Sequence, residues 1–142
     1  MMDASAQGTG WKNVALALGR LIFAALFAMA VAGKVAMSGM VAQQIAAAGF
    51  PMPMVLNWLA ALLEVALVLA FLSGAWFREA CLVAAAYVIF LAFAFHGPSH
   101  WTDAEGLQFG AFVSHFPMAA GLLFGAVSGP GRLLAVSAGW MK

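Results

Sequence analysis

Four long apolar stretches, separated by short breaks rich in Gly, Pro and charge, constrain this chain more than any other feature. They cover about residues 14–35, 54–72, 80–95 and 106–127. A helix rises about 1.5 Å per residue, so about 20 residues cross a hydrocarbon layer about 30 Å thick. In lipid every backbone N–H and C=O must be bonded inside the protein, which leaves only helices and closed barrels. Barrel strands alternate in polarity and run for about 10 residues. These stretches are longer and continuously apolar, so the expected fold is all-α: an integral membrane bundle of four transmembrane helices, in one domain spanning 1–142.

Composition closes off the other classes. Of 142 residues, 65% are hydrophobic and 8% charged, against about 25% charged in a soluble domain. Neither a soluble globular fold nor a disordered chain fits. Six basic against five acidic residues give no basic patch, so nucleic acid is not an expected partner; the lipid bilayer is. With Cys81 alone, an internal disulfide, a CxxC redox pair and a thiolate zinc site are all excluded. The first apolar run continues to Ala32 without a cleavage-like break and reads as a retained helix, not a signal peptide. The Ala-rich piece at residues 40–48 suits an interfacial helix before the Gly49-Phe50-Pro51-Met52-Pro53 stop. Leu133, Leu134, Val136 and Trp140 in the tail, residues 132–142, suit a short helix lying on the membrane.

Basic residues orient the bundle. Lys12, Arg78, Arg132 and Lys142 fall on one side, with Arg20 just inside the membrane, while the other side carries Lys34, Asp103 and Glu105. The positive-inside rule then puts both termini in the cytoplasm. A short repeat is also visible: Ser73-Gly74 followed by Arg78, and Ser128-Gly129 followed by Arg132.

Ionisable groups inside a membrane are costly and face a partner or a cavity. At about 1.5 Å per residue, Arg20 lies roughly 9 Å deep, and Glu64 and His115 both lie near mid-membrane. One reading joins Arg20, Glu64 and His115 in a polar site that binds a quinone head group, relays a proton or holds another polar ligand. The other is structural: Arg20 pairs with Glu64 to fix helix register, and His115 bonds a carbonyl or water freed by Pro117. For Lys34 the first reading is snorkelling to the outer head groups, the second an inward orientation toward the same cavity. In the outer loop, His96, His100, Asp103 and Glu105 form a second cluster. Its spacing specifies no metal set, and with Trp101 nearby an interfacial turn is the simpler account. No metal site is assigned. Small residues on the first helix, Gly19, Ala28, Ala32 and Gly33, suit close helix contact.

The run Gly19-Arg20-Leu21-Ile22-Phe23 with Ala32-Gly33-Lys34, the blocks Gly49-Phe50-Pro51 and Leu59-Ala60-Ala61-Leu62-Leu63-Glu64-Val65, and Ala120-Gly121-Leu122-Leu123 with Gly129-Pro130-Gly131-Arg132 together resemble the DoxX family of small bacterial membrane proteins. The resemblance runs from Gly19 to Arg132. It implies a four-helix bundle in the bacterial cytoplasmic (inner) membrane and an association with redox systems, since family members include a subunit of a thiosulfate:quinone oxidoreductase. One departure stands out. Where the family's last helix often begins Phe-x-Lys-Asn-Leu, this chain has Phe112-Val113-Ser114-His115-Phe116.

The functional expectation is therefore a small subunit or accessory of a membrane redox system, with a quinone in its core held by Arg20, Glu64, Lys34 and His115. If it is an enzyme, it is an oxidoreductase subunit acting with quinone and a partner protein. The chain offers no haem ligand pair, Fe–S cysteine set or flavin motif, so no intrinsic cofactor is expected. Two other classes stay open: a carrier or channel for a small solute or lipid, and a structural assembly factor. A homo-oligomer is compatible with so small and apolar a bundle.

Overall fold

Each apolar stretch forms a helix in the computed structural model, which describes residues 4–102, 105–136 and 138–141, with side chains from residue 10 onward. Helix α1 covers Ala4–Ala36, α2 Ser38–Ala47, α3 Pro53–Ser73, α4 Phe77–His96 and α5 Leu107–Ser128. A single 3-10 turn, Pro98–His100, follows α4. Four of these helices are long and apolar enough to cross a membrane, so the all-α transmembrane bundle stands. Helix α1 starts ten residues before the apolar stretch does, because no proline interrupts the polar residues that precede it.

Two hairpins make the bundle. Helix α1 packs along α3, α4 packs along α5, and α2 lies across α3. Most large apolar side chains point outward, including Leu62, Leu69, Phe124 and Val127, as expected where lipid is the solvent. The buried face of α4 is mostly small residues, Ala80, Cys81, Ala84, Ala85 and Ala92, with Phe77 and Val88 among them, facing Ala119, Leu122 and Ala126 of α5. Without a hydrophobic drive between helices in lipid, such small faces let backbones approach and dispersion contacts accumulate. A Cβ on Gly125 would sit 3.1 Å from Cys81 Sγ. Helix α1 does not follow its small residues. Gly19 meets nothing within 4 Å and Ala28 and Ala32 are exposed, while Arg20, Ala24 and Phe27 form the buried stripe.

Arg20 does not reach Glu64. Its guanidinium donates five hydrogen bonds to backbone carbonyls: Nε to Phe71, Nη2 to Leu72 and Leu134, and Nη1 to Pro130 and Leu133, at 2.7–3.1 Å. A helix end leaves its last four carbonyls without partners. At the end of α3, Gly74 N–H takes Ala70 O, Arg20 takes Phe71 O and Leu72 O, and Val136 N–H takes Ser73 O. Gly74 can do this only because it lacks a Cβ: its φ is +76°, and a Cβ would lie 2.8 Å from that of Ala135.

The same device closes α5. Gly129, with φ +79°, donates to Gly125 O, and Arg78 of α4 donates to Ala126 O and Val127 O, both at 2.7 Å. The Ser-Gly repeat of the sequence is therefore two helix ends, each capped by an arginine from the preceding helix of its hairpin.

This arrangement overturns the expected surface helix in the tail. Among the described residues after Ser128 none is helical. A helix would consume the carbonyls of Pro130, Leu133 and Leu134 internally, whereas here they bind Arg20. Further along, Ala138 O accepts from Trp76 N, the Trp76 and Trp140 rings meet edge to face at 4.5 Å, and Glu79 Oε1 accepts from Trp140 N and Met141 N. Replacing Arg20 by lysine keeps the charge but offers three donors on one nitrogen. Arg20→Lys is expected to cost about 2–4 kcal/mol of stability, read by thermal unfolding in detergent, and to speed amide exchange at Val136. Unchanged exchange there would show that the tail holds without the guanidinium.

Candidate ligand site

The end of the bundle opposite Arg20 holds a cleft of about 700 Å³, within the range of about 300–1,000 Å³ usual for small-molecule sites. Helix α2 and Phe50 cover one side, and Leu56, Leu59 and Leu63 of α3 form another. Phe90 and Phe95 of α4 continue the wall, packed near Phe50 with ring centroids 5.9 and 6.1 Å away. Against this apolar lining stand a few polar groups: Lys34, Gln44, Tyr87, His96, His100, Gln108 and His115.

Lys34 turns inward, contrary to the snorkelling expected first. Its Nζ lies 2.7 Å from Glu64 Oε1, with the lysine side chain 16% exposed and the glutamate 1%. The reason is local. Glu64 is central in α3 on the stripe Asn57, Ala61, Glu64, Leu67 and Phe71 that faces the bundle. A bare carboxylate there would be very costly, and the last turn of α1 supplies the cation within reach. Asn57 Nδ2 donates to the Lys34 backbone carbonyl at 3.3 Å, tying the two helices again. Tyr87 of α4 donates its hydroxyl to the same Glu64 oxygen at 2.9 Å. Three helices thus converge on Oε1. The other oxygen, Oε2, is buried and has no hydrogen-bond partner among the described residues; neither has Asn57 Oδ1. Such unsatisfied buried acceptors are rare and mark places where a proton, a water or a ligand donor belongs.

The histidines gather at the far end of the cleft. His115 Nδ1 bonds Ala111 O at 2.6 Å. Its carbonyl partner is thus one turn back on its own helix, not the Val113 carbonyl that Pro117 deprives of a helical donor. The His115 ring lies 5.3 Å, centroid to centroid, from that of His96, whose Nδ1 bonds Gln108 Oε1 at 2.7 Å. Trp101 Nε1 donates to His96 O at 2.8 Å, as suits an interfacial turn. His100 borders the cleft and contacts Ser99 Oγ at 3.2 Å. Asp103 lies outside the described residues. Among the described residues no group of three or more His, Cys, Asp or Glu side chains is placed to hold a metal ion.

Of the residues singled out in the sequence, the structure brings Lys34 and Glu64 into contact, lines one cleft with Lys34, His96, His100 and His115, and takes Arg20 to the other end. Tyr87, Asn57 and Gln108 were missed. Tyr87 is the only tyrosine in the chain, set mid-stretch among Ala, Val and Phe. Asn57 precedes Glu64 by two helical turns and so shares its face.

Glu64→Gln is expected to leave Lys34 uncompensated and to cost about 3–5 kcal/mol, while replacing both partners by apolar residues, Lys34→Met with Glu64→Leu, returns most of that stability. A double-mutant cycle by thermal unfolding in detergent checks this; additive losses would mean that the two side chains do not pair.

A family model described as DoxX matches residues 15–97, more than half of the chain. The match takes in Arg20, Lys34, Glu64, Tyr87 and His96 and stops before α5. No curated protein and no solved structure gives a match.

Proposed function

The chain belongs to the DoxX family of membrane proteins, and from that premise we propose that it binds a small amphipathic molecule, of the quinone class, in the cleft at the Lys34 end of the bundle. The observation that carries this reading is the inward Lys34, paired with Glu64 and bordering an apolar, aromatic-walled cleft of about 700 Å³. A pair that served only to join α1 to α3 would need no such space beside it. Lys34, with donors left beyond Glu64, orients a carbonyl or hydroxyl head group, and Phe50, Phe90 and Phe95 hold the ring. Arg20 is outside this site and acts as a helix-end clamp.

In this reading the protein is an accessory or small subunit of a membrane redox system, and electrons pass between its quinone and a partner protein. The Arg20 end, with Lys12, Arg78 and Arg132 near it, faces the cytoplasm of a bacterial cell by the positive-inside rule, and the histidine end faces outward.

Mass spectrometry of what co-purifies in nanodiscs tests the proposal. The expected result is a molecule of the quinone class, in its oxidised or its reduced form, near one per chain, lowered at least about tenfold in Lys34→Met with Glu64→Leu, since losing an oriented polar contact costs about 1.4 kcal/mol or more. Phospholipid alone, unchanged by the substitutions, would overturn it, and flux assays in liposomes would then test a carrier.

A further inference from the structure

The hydrogen on His115 has a fixed place. Nδ1 lies 2.6 Å from the Ala111 backbone carbonyl, and a carbonyl only accepts, so Nδ1 is the donor. In the neutral ring Nε2 is then an unprotonated lone-pair acceptor, on a side chain that borders the cleft. His96 borders the same cleft with its Nδ1 against the Gln108 amide oxygen at 2.7 Å, which gives its Nε2 the same character. The two rings are 5.3 Å apart. Tyr87 directs its one hydroxyl hydrogen at Glu64, so it donates nothing to a ligand. The histidine end of the cleft therefore presents acceptors beside aromatic walls.

We infer that the cleft selects a hydroxylated aromatic ring, a phenol or hydroquinone, whose O–H donates to His115 Nε2, over the matching ether or quinone carbonyl. This rests on the ligand-binding reading above and deepens it: His115 is the specificity-determining residue, and in a redox system the reduced form of the carrier is the one held. A carbonyl or ether oxygen brought to Nε2 sets two lone pairs against each other and leaves both desolvated without a partner, whereas a hydroxyl satisfies both.

The test titrates the full chain in nanodiscs with 4-hexylphenol and with 4-hexylanisole, in which a methyl group replaces the hydroxyl hydrogen. The phenol is expected to bind about tenfold more tightly. His115→Phe keeps a flat ring without nitrogen and is expected to erase that preference while leaving anisole affinity within about twofold. The wild-type protein gives a second reading that needs no variant: phenol, and not anisole, moves the ¹⁵N resonance of His115 Nε2 while Nδ1 stays protonated. Equal binding of the two probes with an unmoved Nε2 resonance would overturn the inference and leave the ligand-binding cleft intact. Binding of neither probe would overturn the cleft reading itself and this inference with it. Uptake of Co²⁺ with imidazole–cobalt absorption, and no phenol preference, would replace the hydroxyl by a metal at the same atoms and also overturn it.

Discussion

The buried ion pair between Lys34 and Glu64 is the contact on which the rest of this bundle depends. Glu64 sits in the middle of a helix built mostly of Leu, Val and Ala, where an unpaired carboxylate is very costly. Its partner has to come from another helix, and that need draws the end of α1 inward. Tyr87 then brings α4 to the same oxygen. In a medium without hydrophobic drive between helices, this three-helix junction fixes register at one end of the molecule. It also makes that end polar inside, which is what allows a cleft to border it.

The opposite end solves a different problem. Helix termini expose carbonyls that lipid cannot satisfy. Arg20 and Arg78 reach from α1 and α4 to the ends of α3 and α5 and satisfy them, each beside a glycine with positive φ. Arginine suits this work because its planar fork reaches several acceptors at once. The tail is folded over that end for the same reason, since its carbonyls complete the set around Arg20. One end of the bundle is thus clamped by backbone contacts, while the other carries side-chain polarity and open space.

Much of this was legible in the sequence. Length and continuity of the apolar stretches give the helix count, and the cost of burying charge marks Glu64 and Lys34 as positions of interest. Pairing was not legible. A long side chain near a helix end can extend either way, and Lys34 turns inward only because Glu64 of α3 lies across from it. Arg20 lies within plausible reach of Glu64 by depth alone, but unsatisfied helix ends are stronger claimants, and they are created by turns that periodicity does not specify. The tail carries an apolar pattern that suits a surface helix, yet its backbone oxygens serve a residue more than a hundred positions earlier in the chain. The place of the His115 ring hydrogen depends on a single backbone carbonyl, that of Ala111, which the residue pattern does not single out.

Lys34 points into the bundle, beside the cleft proposed to take a ligand. Solid-state NMR on the protein in lipid bilayers tests this placement most directly, through the dipolar coupling between ¹⁵N at Lys34 Nζ and ¹³C at Glu64 Cδ. A strong coupling is expected, in keeping with a 2.7 Å contact between Nζ and Oε1, together with a shift of the Lys34 resonance when an aromatic ligand enters the cleft. A Lys34 nitrogen with no coupling to Glu64, exchanging freely with water at the head groups, would contradict it.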